Sequence, residues 1–428
     1  MYDLVVIGAG WAGFNACLRA KALGLAVCLI DANQIGGTCL NYGCIPTKTL
    51  IACAKVFSLA KKSSNFGIQL DHLSINWAAI QEKKEKVVRL LAQGMRSRIS
   101  GIDFINSPAQ IISAREIKVD GRLVKTKSIL VATGSRPVQL PGLIFDQNKV
   151  ISSNEALSLS EIPQSLLVIG GGVIGCEFAS LFSSLGSLVT IAEKMPLLLA
   201  AEDRDISRKI EVIFKKKGIK VVTGADISSL NLKDYSKVLV CVGRTPNIEG
   251  LGLEALGVEL KNNKILVDEY LKTNIDNIYA AGDCTGGSML AHYAAYQGVT
   301  AVENIISPNR QKADNRLIPA CIFTDPQIAS VGVKENDYLA DGLRIKINKF
   351  DFRASAMANI IEETDGFVKI ITDGDAGRII GASIIGPQAT ELISVLVMGI
   401  SCQLTANQVK AMIFAHPTFS ESIRESLN

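Results

Sequence analysis

A chain of 428 residues is too long for one hydrophobic core and predicts two to four domains. Its 45 basic and 41 acidic residues leave a formal charge of +4, with no basic run longer than Lys215-Lys216-Lys217, so nothing in the composition supports nucleic-acid or membrane-surface binding. The start, Met1-Tyr2-Asp3 leading into an apolar run, lacks the basic region and cleavage site of a secretory leader and predicts a cytoplasmic protein with mostly reduced thiols.

The first predicted strand, Leu4-Val5-Val6-Ile7, runs into Gly8-Ala9-Gly10-Trp11-Ala12-Gly13 and a helical pattern that stops at Gly24; a second strand over residues 26–30 ends at Asp31. In G-x-G-x-x-G the first glycine makes a tight turn, the second lets the backbone approach a pyrophosphate, and the third lets helix and strand pack closely. The helix N-terminus offers free N–H groups to the phosphates, and a carboxylate about twenty residues on accepts hydrogen bonds from the adenosine ribose. A single copy reads equally as a glycine-rich turn without a ligand.

Next comes Gly36-Gly37-Thr38-Cys39-Leu40-Asn41-Tyr42-Gly43-Cys44-Ile45-Pro46-Thr47-Lys48. In a regular helix residues five apart are separated by about 7.5 Å along the axis alone, too far for an easy disulfide, so a linked Cys39 and Cys44 require a distortion that Gly43 and Pro46 make easier. The pair reads as a redox centre, a structural disulfide, a zinc half-site or two buried thiols. Zinc would need two more ligands, and the chain has no C-x-x-C and only His72, His292 and His416. Lys48 falls one turn beyond Cys44, where its charge would favour a thiolate. The other eight cysteines, Cys17, Cys28, Cys53, Cys176, Cys241, Cys284, Cys321 and Cys402, read as small buried apolar residues.

The apolar stretch over residues 166–192 is a strand, a turn and a helix rather than a membrane span, because Gly170-Gly171-Gly172, Glu177 and Gly186 interrupt it. It repeats the first motif in register: Gly170, Gly172 and Gly175 answer Gly8, Gly10 and Gly13, Gly186 answers Gly24, and Glu193 answers Asp31, all at one interval. The repetition predicts two bound dinucleotides. Glu193, followed by Lys194-Met195-Pro196 without an arginine cluster, would repel a 2′-phosphate and favours NAD over NADP. Further on, Asp283 ends the strand-like Ile278-Tyr279-Ala280-Ala281-Gly282 and reads as a ligand group or as a turn or helix cap. A helix is predicted over residues 390–402. In Ala415-His416-Pro417-Thr418-Phe419-Ser420-Glu421 the histidine titrates in the range needed to take a thiol proton, and Glu421 would orient it if a helical turn begins after Pro417. Alone, His416 reads as a surface or capping residue.

Together these segments resemble the FAD-dependent pyridine nucleotide–disulfide oxidoreductase family, and residues 36–48 closely resemble the disulfide segment of its lipoamide dehydrogenases. The resemblance extends to Val131-Ala132-Thr133-Gly134-Ser135-Arg136-Pro137, to residues 273–283, to Ser288-Met289-Leu290-Ala291-His292 and to residues 319–332, and so covers nearly the whole chain. It implies an α/β fold with two Rossmann-like dinucleotide-binding domains, for FAD and then NAD, and a C-terminal α+β dimerisation domain. The implied boundaries are residues 1–141 for FAD, 142–265 for NAD, 266–313 for a return to the FAD domain and 314–428 for the interface.

By resemblance, Cys44 faces the flavin as a charge-transfer thiolate, Cys39 exchanges with a substrate dithiol, Lys48 and Glu177 meet beside the flavin, and His416 with Glu421 reaches Cys39 of a second subunit. Cofactor contacts are implied at Gly8, Gly10, Gly13, Asp31, Thr38, Lys48, Ala109, Thr133, Gly134, Ser135, Asp283, Leu290 and Ala291, and at Gly170, Gly172, Gly175, Glu193 and Gly243, with no metal. The implied reaction oxidises dihydrolipoamide, carried on the lipoyl domain or acyltransferase of a 2-oxoacid dehydrogenase or glycine cleavage complex, with NAD⁺ as acceptor. A disulfide or mercuric reductase and a low-activity docking subunit are the alternatives. Three features depart from the family pattern: residues 223–237 are short, Tyr42 is bulky inside the cysteine loop, and Asp31 replaces a glutamate.

Overall fold

Residues Tyr2–Ile7 form strand β1, and its Leu4, Val5, Val6 and Ile7 are buried, as an unbroken apolar run in a parallel sheet requires. A computed structural model of the chain describes residues 1–335, 344–374 and 376–428. Helix α1 (Trp11–Ala22) crosses from β1 to the parallel strand β2 (Val27–Ile30), with Leu4 paired to Val27 and Ile7 to Ile30. The sheet runs Asp103–Ile105, β2, β1, Arg122–Val131, then the antiparallel strands Glu116–Val119 and Ala109–Ser113. Two helices follow β2: α2 (Gly37–Tyr42) and α3 (Cys44–Lys61).

The second unit repeats the first. Strand β3 (Ser165–Ile169), helix α4 (Val173–Ser184) and strand β4 (Leu188–Glu193) form the same parallel unit, extended by Lys220–Thr223 on one side and by Lys237–Val240 and Val150–Ile151 on the other. The short segment 223–237 holds two 3₁₀ turns, Ile227–Ser229 and Leu232–Asp234. The chain then returns to the first sheet: Ile278–Ala280 pairs parallel with Arg122–Val131, and helix α5 (Ala291–Ile306) lies on α1 so closely that a Cβ on Gly298 would stand 2.1 Å from the Ala12 carbonyl oxygen. Phe14 on α1 and Phe182 and Phe214 in the second unit are fully buried, each contributing about 2–3 kcal/mol relative to exposure.

The C-terminal part is an antiparallel sheet in the order Ala320–Ile322, Gln327–Gly332, Ile379–Gly386, Phe367–Asp373, Ile345–Asp351. Helix α6 (Ala389–Ser401), one residue ahead of the predicted 390–402, packs on it, and α7 (Glu421–Ser426) closes the described chain. Lys369, fully buried in this sheet, bonds Asp203 at 2.9 Å, Asp205 at 3.5 Å, and Glu335. Asp203 caps the helix Arg204–Lys216 of the second unit, so this ammonium ties the two units together and neutralises a group of carboxylates spaced closely enough for a metal.

One expectation is corrected. Of the eight cysteines read as buried, Cys17, Cys28, Cys176 and Cys284 are, but Cys53, Cys241 and Cys321 are half-buried and Cys402 is exposed, because it caps the outer end of α6. Residues 37–61 are long and apolar enough to cross a membrane by length and composition alone. Here they form two helices interrupted at Gly43, whose Lys48 and Lys55 pair with Glu177 and Glu363.

Candidate active site

The two glycine motifs fold into the same turn. A Cβ on Gly13 would stand 1.8 Å from the Gly8 carbonyl oxygen, and one on Gly175 2.0 Å from that of Gly170. Gly8 at φ +111° and Gly170 at φ +106° also lie against neighbouring backbone, 2.1 Å and 2.4 Å from the carbonyl oxygens of Ala132 and Cys241 for an added Cβ. Asp31 accepts from the Ala9 N–H at 2.5 Å and the Asn33 N–H at 2.6 Å. Glu193 makes the equivalent bonds to the N–H groups of Gly171 and Met195. Each carboxylate is therefore fastened beside its turn with lone pairs left over for a ribose.

Helices α1 and α4 begin at Gly10 and Gly172 with no side chain on their first N–H groups. By contrast, Asn76, Ser152, Asp203 and Thr405 cap the helices that follow them. Open donors at two turns whose first and third glycines leave no room for a Cβ fit two pyrophosphates.

The other residues implied for cofactor contact lie in α2 and at the ends of strands and helices. Thr38 is in α2. Thr133 donates to the Asn247 carbonyl at 2.5 Å, and Gly134 follows at φ +72°. Ser135 Oγ donates to Asp283 Oδ2 at 2.5 Å. Ala109 opens the strand Ala109–Ser113, next to the Asn106 amide that donates to the Asp31 carbonyl at 2.8 Å. Leu290 and Ala291 form the uncapped start of α5, and Gly243, φ +125°, precedes the short strand Arg244–Pro246.

Arg244 is a residue the sequence reading passed over. Its Nε donates to Ser135 Oγ at 2.8 Å and its Nη2 to the Ser135 carbonyl at 2.7 Å, with Thr38 Oγ1 at 3.4 Å. Burial makes its charge costly and lowers its affinity for the proton, opposed by the negative charge of Asp283. A buried guanidinium with no ion pair among the described residues, set at a strand end, suits a diphosphate. Its only signal in sequence was an arginine placed just after Gly243 at a strand terminus.

The cysteine segment breaks where the spacing demanded. Gly43, at φ −143° and ψ −113°, separates α2 from α3, and a Cβ there would stand 3.0 Å from the Thr38 carbonyl oxygen. The break brings Cys39, half-buried on α2, to Cys44, the exposed first residue of α3, with both present as thiols. The Cys39 S–H donates to Cys44, and this bond, helped by the Lys48 charge and a backbone hydrogen bond, pushes the Cys44 thiol down to about 7 against the opposing effects of burial and Glu177. The same bond, followed by burial, pushes Cys39 up. Cys44 is therefore the more acidic of the two sulfurs, and it stands at a helix N-terminus, where a thiolate is favoured.

Behind Cys44, Lys48 Nζ bonds both oxygens of the buried Glu177, at 2.8 Å and 2.7 Å. Glu177 Oε1 also accepts the Phe323 N–H at 2.8 Å, and the Phe323 ring lies 4.7 Å from Lys48 Nζ. Three parts of the chain thus converge on one ammonium: α3, α4 and the C-terminal sheet. No residue pattern could announce the Phe323 contribution, because it is a backbone amide.

His416 stands apart from this group. Its Nδ1 lies 3.0 Å and 3.2 Å from the two Glu421 oxygens, and the Thr418 N–H bonds Glu421 Oε2 at 2.9 Å. The Thr418 N–H, then the imidazole, holds the Glu421 carboxyl below its ordinary range. Helix α7 starts at Glu421 rather than directly after Pro417; a bend tied by Thr418 Oγ1 to the Ala415 carbonyl at 2.7 Å brings the carboxylate back to the ring. The His416 side chain is 72% exposed. Of the other histidines, His292 Nε2 lies 2.9 Å from the Pro319 carbonyl and His72 is exposed.

Two glycine-turn folds in tandem, a close cysteine pair and a C-terminal antiparallel sheet define a class, and the chain belongs to the pyridine nucleotide-disulphide oxidoreductase family: residues 2–298 match its main domain and residues 318–427 its dimerisation domain. Among relatives, the chain is 39% identical to a dihydrolipoyl dehydrogenase of Bacillus subtilis, over 99% of this chain and 97% of that one. It is also 39% identical to the dihydrolipoyl dehydrogenase of Chlamydia muridarum, over 99% and 96%. Among solved structures it is similar to LpdA from Mycobacterium tuberculosis, with a TM-score of 0.92 at 29% identity over 99% of each chain. It is similar too to the HOCl-induced flavoprotein disulfide reductase RclA from Escherichia coli, with a TM-score of 0.89 at 28% identity over 100% and 99%.

Proposed function

We propose that the chain is a dihydrolipoyl dehydrogenase that oxidises protein-bound dihydrolipoamide with NAD⁺, using FAD and the Cys39–Cys44 pair. The observation that carries this reading is the acidic Cys44 at the start of α3, backed by the Lys48–Glu177 pair. When bound, FAD accepts the electron pair of a dithiol and passes it on to NAD⁺ as hydride. Gly8, Gly10, Gly13, Asp31, Thr38, Ser135, Arg244 and Asp283 would hold FAD; Gly170, Gly172, Gly175, Glu193 and Gly243 would hold NAD. Residues 1–141 and 266–313 form the FAD unit, 142–265 the NAD unit and 314–428 the interface.

In this reading Cys39 exchanges with the incoming dithiol and Cys44 is released as the stable thiolate. Lys48 neutralises negative charge that builds up beside Cys44, and Glu177 fixes the lysine in place. Glu421 holds the His416 Nδ1–H, which leaves Nε2 as the base that takes the dithiol proton. That histidine acts on Cys39 of a second copy, so the working unit is a homodimer. The partner is a lipoyl domain of a 2-oxoacid dehydrogenase or glycine cleavage complex, and the compartment is the cytoplasm.

The test is turnover of free dihydrolipoamide with NAD⁺ or NADP⁺. The expected result is faster reduction of NAD⁺ by about tenfold or more, and loss of turnover in Cys44→Ser. NADP⁺ preference, or undiminished turnover by that variant, would overturn the reading.

A further inference from the structure

Trp11 is the first residue of α1, and two backbone contacts set it beside the cysteine segment. The Gly36 N–H donates to the Ala9 carbonyl at 2.9 Å, and a Cβ on Gly37 would stand 2.7 Å from Gly10 Cα. The first turn and the start of α2 therefore touch at Gly10 and Gly37, with Trp11 and Cys39 just beyond the contact on either side. The indole meets Phe14 edge-on, at 6.4 Å between ring centres. Its Nε1 is buried and completes no hydrogen bond among the described residues. Buried indole N–H groups ordinarily find an acceptor. Across the Gly10–Gly37 contact lies the Cys39 thiol, whose hold on its proton the indole N–H weakens.

We infer that Trp11 is a positioning residue for thiol–disulfide exchange, whose indole N–H completes its hydrogen bond when Cys39 becomes a thiolate. A neutral thiol is a weak acceptor and a thiolate a strong one, which accounts for an unfinished bond in the dithiol state. The inference rests on the exchange role proposed above for Cys39.

In that exchange one substrate thiolate attacks Cys39 Sγ of the disulfide. The Cys39–Cys44 bond breaks, its electron pair leaves on Cys44, and a mixed disulfide joins substrate to Cys39. The second substrate thiolate then attacks the substrate sulfur of that mixed disulfide, and the electron pair leaves on Cys39. Two thiols have become one disulfide and the protein's disulfide has gained two electrons; of the two thiol protons, one stays on the His416 imidazole and the other passes through it to solvent. Trp11 meets the charge that appears at the second departure.

The experiment uses flavin-loaded Cys44→Ser protein, in which Cys39 has lost its sulfur partner, and follows alkylation of Cys39 by iodoacetamide against pH, resolved by peptide mass spectrometry. Adding Trp11→Phe is expected to raise the pH midpoint by about one unit and to slow alkylation about tenfold below it. Replacing Trp11 with benzothienylalanine, which keeps the bicyclic shape without the N–H, is expected to do the same. An unchanged midpoint with benzothienylalanine, whatever Trp11→Phe does, would assign Trp11 to packing and overturn the inference. Alkylation requires no turnover, so the result stands separately from whether dihydrolipoamide is the substrate.

Discussion

At the residue scale, the proton shared by Cys39 and Cys44 decides which sulfur is charged, and Lys48 and Glu177 pull that balance in opposite directions. The lysine charge lowers the Cys44 value and the glutamate charge raises it. Lys48→Met is therefore expected to move the Cys44 midpoint up from about 7 by about one unit, and Glu177→Gln to move it down while freeing Lys48 to face the thiolate. The pH dependence of Cys44 alkylation in the dithiol protein measures both shifts. Shifts of the same sign in the two variants would mean that the pair acts through structure rather than charge. Arg244 belongs to this scale as well. Its charge lies between Ser135 and Thr38 with no counter-ion bonded directly to it among the described residues, and nothing in its sequence neighbourhood marked it beyond a strand end.

At the scale of elements, the two glycine turns are nearly superimposable in their contacts, so equivalent substitutions should separate their functions. Gly13→Ala places a methyl 1.8 Å from the Gly8 carbonyl oxygen and Gly175→Ala one 2.0 Å from that of Gly170. The first is expected to yield protein depleted of flavin. The second is expected to stay yellow but bind NADH about tenfold more weakly or worse, read by flavin absorbance and NADH titration. Flavin loss in the second with retention in the first would reverse the assignment of the two folds.

The repeat was legible because each of its parts is local: apolar strand, glycine spacing, and a carboxylate at a fixed interval. Cys39 and Cys44 were legible to the extent that their spacing required a break, and Gly43 is where it falls. The Phe323 amide on Glu177 was not legible, since a backbone donor from a distant strand leaves no trace in residue type. The helical turn suggested after Pro417 is replaced by a bend, shaped by the Thr418 N–H on Glu421 and the Thr418 hydroxyl on the Ala415 carbonyl.

At the scale of the whole molecule, His416 is exposed and close to Ile413, which is 98% exposed, and Met412, within a part of the chain that matches the family's dimerisation domain. An apolar rim beside a bare imidazole fits a face covered by a second copy. If the site is shared, Cys44→Ser and His416→Gln chains are each inactive alone. Coexpressed in equal amounts, they should recover about a quarter of normal turnover, because half the dimers carry one intact pair of Cys44 and the other chain's His416. No recovery would place the histidine's action within one chain. Within each chain, the buried Lys369 links the second unit to the C-terminal sheet through Asp203 and Glu335. All three scales meet at Cys44, which in the proposed reaction carries its charge against a bound flavin. Its most direct measurement is anaerobic reduction of the yellow protein by two electrons from dihydrolipoamide. The expected result is a long-wavelength absorbance band from a thiolate beside the flavin, absent in Cys44→Ser; full bleaching of the flavin with no such band, or a band that survives the substitution, would contradict it.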